Sequence, residues 1–185
     1  MARSYFTLLY FFLFSNLMAQ QYETQHYELI KTLDSAQIRY YPSVMKIRAN
    51  KNKGFNALFG YISGKNETGQ KIAMTTPVYM QQEEGQEVME FVLPRSFDQE
   101  NAPNALSQNV AVYQSKPGYF IALRFGGYAL DWVTNRALKA LDKIVEKHGI
   151  QIQGSPLILV YNSPYQVLNR KNEILYQIEY RSTEK

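Results

Sequence analysis

Gly60-Tyr61-Ile62-Ser63-Gly64-Lys65-Asn66-Glu67-Thr68-Gly69-Gln70-Lys71-Ile72-Ala73-Met74-Thr75-Thr76-Pro77-Val78 is the stretch on which the reading of this chain turns. Phe55, Leu58, Phe59 and Ile62 recur at i, i+3, i+4 and i+7, one stripe of a helix over residues 53–63. Asn52 can cap its start and Gly64 its end. Beyond the glycine-bounded polar turn, Ile72, Met74, Thr76, Val78 and Met80 alternate, which predicts a strand over 72–80. Helix, tight turn and strand in this order set an α+β pattern.

The rest of the chain extends that pattern. Residues 27–33 and 36–41 flank Asp34-Ser35 as a hairpin, and 44–49 is a third short strand after Pro42. A strand over 89–93 follows a polar turn at 81–86, and the Pro- and Asn-rich stretch 94–108 reads as a long loop. Strands at 110–114 and 119–125 lead to a longer helix over 129–148, with Leu130, Val133, Ala137, Leu141 and Ile144 on one face and Gly149 at its end. Strands at 156–161 and 174–180 close the chain. Strand, helix, strand, strand therefore occurs twice, over 44–93 and 119–180, without a residue-level repeat. Two such units can pair their sheets into one curved surface with a helix on each side and a ligand-sized gap beside it.

The start of the chain bears on compartment. Arg3 is the only charge before Glu23, an apolar run covers 5–14, and small or polar residues follow to Ala19. This is the pattern of a secretory signal peptide cleaved near Ala19, leaving 20–185 as a single exported domain. The run is short for a bilayer span of ~20 residues, which favours cleavage over the rival reading of a retained anchor. The expected location is the periplasm or the extracellular space, with no stable membrane insertion after cleavage. The chain has no cysteine, so neither disulfides nor thiolate metal sites are available. A formal net charge of +4 with scattered basic residues lacks the concentrated basic face that nucleic acid requires. Fifteen tyrosines and ten phenylalanines instead suit a large sheet or a flat-ligand pocket.

Catalytic motifs are scarce. Of two histidines, His148 sits where a cation caps a helix C-terminus, and no His-Glu-x-x-His or Gly-x-Ser-x-Gly pattern occurs. The turn 64–71 superficially resembles a phosphate loop, but it runs from helix to strand and its second lysine has no Ser or Thr after it. The chain is therefore read as a binder and not an enzyme. What remains is the apolar helix with Lys51, Lys53 and Lys65 at its ends, Gly60 within it, and Met74, Met80 and Met89 on neighbouring strands. From pattern alone, core packing with solvated lysines outweighs a greasy slot rimmed by cations.

Five segments shift that balance, because each resembles the SOUL/haem-binding protein family in the family's order. They are Tyr27-Glu28-Leu29-Ile30 with Ile38-Arg39-Tyr40-Tyr41-Pro42; the stretch from Tyr61 to Val78; Phe91-Val92-Leu93-Pro94; Phe125-Gly126-Gly127-Tyr128-Ala129; and Tyr161-Asn162-Ser163-Pro164 with Asn169-Arg170-Lys171-Asn172-Glu173-Ile174. The resemblance implies a distorted antiparallel β-barrel of two pseudo-symmetric strand-helix-strand-strand halves, one helix on each side. It also implies haem or porphyrin as a reversible ligand lying against the first helix. The implied apolar site is Phe55, Leu58, Phe59, Ile62 and Met74, with Tyr165, Val167 and Leu168 as the opposite lip. A lysine and an arginine used by some members on that helix fall at Gly60 and Asn52 here, so Lys53, Lys65, Arg170 or Lys171 would contact the propionates. Tyr40 stands where some members carry a histidine proposed as iron ligand; it is a candidate haem-iron ligand, against the plainer reading of a strand tyrosine.

The resulting expectation is an exported tetrapyrrole buffer or carrier. The alternatives are a binding module for another flat amphipathic molecule or, with Glu90 and Glu173 as its candidate carboxylates, a small-molecule hydrolase.

Overall fold

A computed structural model describes residues 22–50, 54–83 and 85–180. The proposed signal segment, Asn52 and Lys53 lie outside the described residues. The described chain forms β1 (Glu23–Thr24), β2 (Glu28–Leu33), β3 (Ala36–Tyr41), β4 (Met45–Asn50), α1 (Gly54–Ile62), β5 (Thr75–Thr76), β6 (Val78–Glu83), β7 (Gln86–Val92), β8 (Ala111–Gln114), β9 (Gly118–Phe125), α2 (Asp131–Lys147), β10 (Ile152–Val160) and β11 (Asn172–Ile178). This is an α+β architecture. No helix among the described residues is long and apolar enough to cross a membrane.

Local chemistry explains the element ends. Asp34 turns the first hairpin with φ 52°, a left-handed conformation that aspartate tolerates. Both helices stop in the same way. At α1, Gly64 takes φ 106°, its N–H donates to the Tyr61 carbonyl (3.2 Å), and the Lys65 N–H donates to the Gly60 carbonyl (2.9 Å). At α2, Gly149 takes φ 61°, donating to Glu146 (3.1 Å) while Ile150 donates to Val145 (3.0 Å). These bond pairs are the Schellman arrangement that glycine permits.

The turn after α1 winds around buried Asn66. Its Nδ2 donates to the carbonyls of Tyr61 (2.9 Å) and Gln70 (2.7 Å), while its Oδ1 accepts from the Gln70 N–H and the Thr68 hydroxyl, each at 3.1 Å. Four bonds from one side chain satisfy backbone that would otherwise be buried unpaired.

Nine strands form one sheet in the order β2-β3-β9-β11-β10-β6-β7-β4-β8. Outward from the central β6–β10 pair, the order is β6-β7-β4-β8 on one side and β10-β11-β9-β3 on the other, with β2 added beyond β3. The doubled element order of the sequence thus extends to strand pairing. The sequence predicts one strand over 72–80, but Pro77 divides it: Thr76–Pro77 is cis, β5 pairs in parallel with β1, and only β6 joins the large sheet. A residue without an N–H interrupts a ladder. Conversely, β10 begins earlier than expected, at Ile152, because a bulge between Gln153 and Leu157 accommodates Gly154 (φ 67°) and Pro156.

Side-chain alternation gives the sheet two different faces. Leu123, Ile174, Ile158, Met80, Met89 and Ala49 follow one another across paired strands and share a face. Both helices cover that face: α2 buries Ala137, Leu141 and Ile144 against Ile38, Ile121, Leu123 and Ile174, and α1 buries Leu58, Tyr61 and Ile62 against Ile47, Phe91 and Leu93. The next row, Arg124, Glu173, Leu159, Tyr79, Glu90 and Arg48, lies on the opposite face. There Tyr41, Tyr79, Ala122, Leu159 and Leu175 form a third buried cluster.

This division makes the two sides of α1 unequal in stability. Leu58→Ala should cost about 2–5 kcal/mol by opening a cavity, whereas Phe59→Ala should stay within about 1 kcal/mol because its side chain is half-exposed. Urea denaturation of the two variants checks this; equal losses would contradict it.

Candidate functional site

The helix predicted to wall the site splits its stripe in two. Leu58 and Ile62 are core residues, together with Tyr61 and Gly54. They are enclosed by the fold, which corrects the expectation that they line a ligand groove. Phe55 and Phe59 are 47% and 50% exposed, and their rings stack at 5.8 Å with 10° between planes. Phe55 is backed by an edge contact to buried Phe91 at 5.7 Å. The outcome is a flat apolar platform on the solvent side of α1. The stem of Lys65 runs beside it, its Cδ 3.4 Å from where a Cβ would stand on Gly60. An added methyl there meets only the stem of a flexible lysine. Met74 is partly buried against the α1 core and does not share the platform's exposure. Lys53 lies outside the described residues.

A groove of about 440 Å³ opens between the helices over the middle of the sheet, where neither helix reaches. Met80, Met89 and Ile158 form its floor and Thr134, Asn135 and Leu138 of α2 one wall. The doubled element order predicts a ligand-sized gap beside a helix; this one is lined by α2 and the sheet, and by no residue of α1.

The expected second lip is exposed but attached elsewhere. Tyr165 is 91% exposed, and Val167 and Leu168 are also exposed. Their loop is tied to the turn ahead of α2: Tyr128 donates to the Pro164 carbonyl at 3.5 Å and Asn172 Nδ2 to the Gly127 carbonyl at 2.7 Å. Arg170 is the tie's centre. Buried, it donates through Nη1 to the carbonyls of Ser163 (2.7 Å) and Gln166 (2.6 Å), and it stacks over the Tyr128 ring at 4.2 Å. A guanidinium so occupied is not a rim cation, which corrects its expected role. Lys171 is likewise turned to the chain itself, with Nζ 3.8 Å above the Tyr161 ring and 3.6 Å from Glu173.

Tyr40 sits half-buried on β3 with its ring 5.1 Å from that of Tyr119. Tyr119 packs on the α2 cluster, whereas α1 packs on β4 and β7. Tyr40 is thus placed as a strand tyrosine. No group of three or more His, Cys, Asp or Glu side chains that could hold a metal occurs among the described residues.

The inner face holds charges that sequence reasoning did not pair. Arg39 grips Glu173 with two bonds, Nη1 to Oε2 at 2.8 Å and Nη2 to Oε1 at 3.1 Å, and Tyr161 donates to the same carboxylate at 2.7 Å. Lys46 meets Glu90 at 3.1 Å, Tyr113 donates to Glu90 at 2.7 Å, and the lysine lies 3.5 Å over the Tyr79 ring. Burial alone would raise the Glu173 carboxyl, but the hydrogen bonds from Arg39 and Tyr161 outweigh it and hold it below its ordinary value. Burial lowers Lys46 against the opposing pull of Glu90. It also drives Tyr161 far up, with the Glu173 charge adding to it. These groups are locked with each other. A cavity of about 40 Å³ beside them, lined by Tyr41, Lys46 and Tyr79, has room for water but not for an organic ligand.

Comparison places the chain first in a fold class and then in a family. The EcmrR C-terminal domain superposes with a TM-score of 0.53 at 14% identity, covering 79% of this chain and 98% of that one. A hydrolase from Listeria innocua superposes with a TM-score of 0.57 at 10% identity, covering 80% and 94%. At such identities the likeness concerns the fold alone. The pattern described as SOUL heme-binding protein matches residues 22–177, and the chain belongs to that family. Heme-binding protein 2 of Homo sapiens is 30% identical over 129 residues, and that of Mus musculus 28% over 128; each match covers 65% of this chain. The chain spans 62% of the length of each of these relatives.

The Glu173 cluster makes stability depend on acidity. Its folded pKa is below its ordinary value of 4.5, so the unfolded chain takes up the proton first as pH falls. The contribution is complete above that value and is lost as pH drops through the depressed folded one. In urea denaturation between about pH 6 and 3, Glu173→Gln should be less stable at the upper end and show a shallower pH slope than the parent. Parallel slopes would contradict the assignment.

Proposed function

We propose that this protein binds a tetrapyrrole reversibly on the outward face of α1, as an exported buffer or carrier. The observation that carries the reading is the stacked, half-exposed Phe55–Phe59 pair, which matches the flat apolar face of a porphyrin. Family membership and the names of the mammalian relatives support the ligand class. Covering roughly 300 Å² of apolar surface at ~25 cal/mol per Å² gives about 7 kcal/mol before association costs. That gross figure is near the ~8 kcal/mol of a micromolar complex, so the expected affinity is micromolar at best. Lys65, beside the platform, is the propionate partner available there. Tyr40 packs away from the platform, so the proposed binding does not depend on an iron bond.

Export rests on Arg3, the apolar run over 5–14 and Ala19. The sheet is read as rolled toward a barrel, since Tyr41 of β3 and Lys46 of β4, near opposite ends of the strand order, line one small cavity. Rolling in this sense encloses the charged face and leaves both helices outside, where a ligand has access.

Titration of the purified protein with hemin and with metal-free protoporphyrin tests the proposal. Both should bind saturably with similar affinity, and Phe59→Asp should weaken both by at least about tenfold, the equivalent of ~1.4 kcal/mol. Failure of both to saturate below about 50 µM would discard it, being weaker than the micromolar benchmark.

A further inference from the structure

A second groove runs along the outer side of α2 and has no part in the α1 platform. Its volume is about 530 Å³, within the range of small-molecule sites. The end of β9, the Gly126–Gly127 turn and the first half of α2 line it. Leu130 and Trp132 stand at its edge, 53% and 63% exposed, above a floor that includes Ala137 and Ala140. An exposed tryptophan and leucine side by side are unusual for a surface with no occupant.

Charge decides the kind of occupant. Arg136 lines this groove, and no carboxylate does. Arg39, Lys46, Arg48, Arg95, Lys147 and Lys171 each meet a carboxylate in this fold, whereas Arg136 meets none among the described residues. Arg136 instead lies with its Cζ 5.1 Å over the Trp132 ring, which holds the guanidinium at the groove without neutralising it. Asp131, the nearest acidic residue in sequence, lines the separate groove on the sheet side of α2. Position reinforces the point. Trp132 is the second residue of α2 as Phe55 is of α1, and Arg136 is the sixth as Phe59 is. The second half thus repeats the aromatic start of the platform and replaces its second ring with a cation.

We propose that the α2 groove is a separate binding site for an apolar monocarboxylate of fatty-acid type, with its chain over the alanine floor and its carboxylate at Arg136. Two guanidinium–carboxylate bonds from Arg136 fix the head, and apolar burial beside Trp132 holds the tail. The site does not depend on the tetrapyrrole reading, which concerns the other helix.

Trp132 is the sole tryptophan of the chain, so fluorescence excited selectively at tryptophan, beyond the absorption of the fifteen tyrosines, reports on this groove. Titration with laurate below its micelle concentration should give a saturable change at tens of micromolar or tighter, on the order of 6 kcal/mol. Dodecyltrimethylammonium, with the same tail and the opposite charge, should bind at least about tenfold more weakly. Arg136→Gln should keep its thermal midpoint and lose laurate binding by about tenfold or more. Phe59→Asp should leave laurate binding intact while removing porphyrin binding, which separates the two sites. Equal binding of the cationic amphiphile, or full binding by Arg136→Gln, would overturn the proposal. So would a response to phosphatidylglycerol vesicles without one to soluble laurate, since the surface would then be a lipid-docking face.

Discussion

Two carboxylates on the sheet's helix-free face constrain everything built around them. Glu90 pairs across the ladder with Tyr79, Tyr79 with Leu159, and Leu159 with Glu173, so the two acids are placed symmetrically about the central strand pair. Leaving either charge without a partner in such a site would cost several kcal/mol. Each is met by an outer strand reaching past its neighbour: Arg39 of β3 crosses β9 to reach Glu173 on β11, and Tyr113 of β8 crosses β4 to reach Glu90 on β7. Lys46 and Tyr161 complete the two sets from adjacent strands. These bonds tie the three strands next to the central pair on each side, β7-β4-β8 and β11-β9-β3, into a fixed surface. Removing one partner leaves a buried charge behind, so the network is held together more strongly than the sum of its bonds.

With that face committed to internal pairing, the exposed apolar surface lies on the helix side. There the hydrophobic demand is met by part of each helix only. Helix α1 needs Leu58, Tyr61 and Ile62 to cover β4 and β7, which leaves Phe55 and Phe59 free to stack on each other in solvent. Two exposed phenylalanines contribute little to folding at that position, and their parallel rings leave apolar surface in solvent. The same partition on α2 leaves Trp132 and Arg136 outward while Ala137, Leu141 and Ile144 face the sheet. Core packing and exposed aromatic surface are thereby assigned to different arcs of the same helices.

Features fixed by local chemistry were legible in the sequence, and features fixed by distant contacts were not. Gly64 and Gly149 ended helices as their φ freedom predicts, and Asp34 turned the hairpin. The stripe of α1 was found, but its orientation was not. A period of 3.6 groups Phe55 with Leu58, and only the packing of Tyr61 shows where the buried arc lies. Tyr61 falls outside the i, i+3, i+4, i+7 stripe, yet it is buried: its hydroxyl donates to the Pro103 carbonyl at 2.5 Å, from the long loop, and burial pushes the phenol up to about 12. Arg170 and Lys171 looked like surface cations because nothing local shows that Tyr128 and Glu173 lie beside them. Resemblance supplied the family; it could not say which basic residues this chain leaves unoccupied.

The likeness to a hydrolase raises the question of whether the buried acids could do chemistry. A general base acts best with a pKa near the working pH, which for a carboxylate means an upward shift. Glu173 is moved the other way by Arg39 and Tyr161, and Tyr161 is driven too far up to give its proton back near neutrality. Both partners therefore hold their ordinary protonation states firmly, and the adjoining cavity of about 40 Å³ is smaller than any organic substrate. The arrangement shares a fold with a hydrolase without offering the poised proton that hydrolysis uses. Its energetics are those of a structural clamp, with Arg39 and Tyr161 holding Glu173 and with Lys46 and Tyr113 holding Glu90.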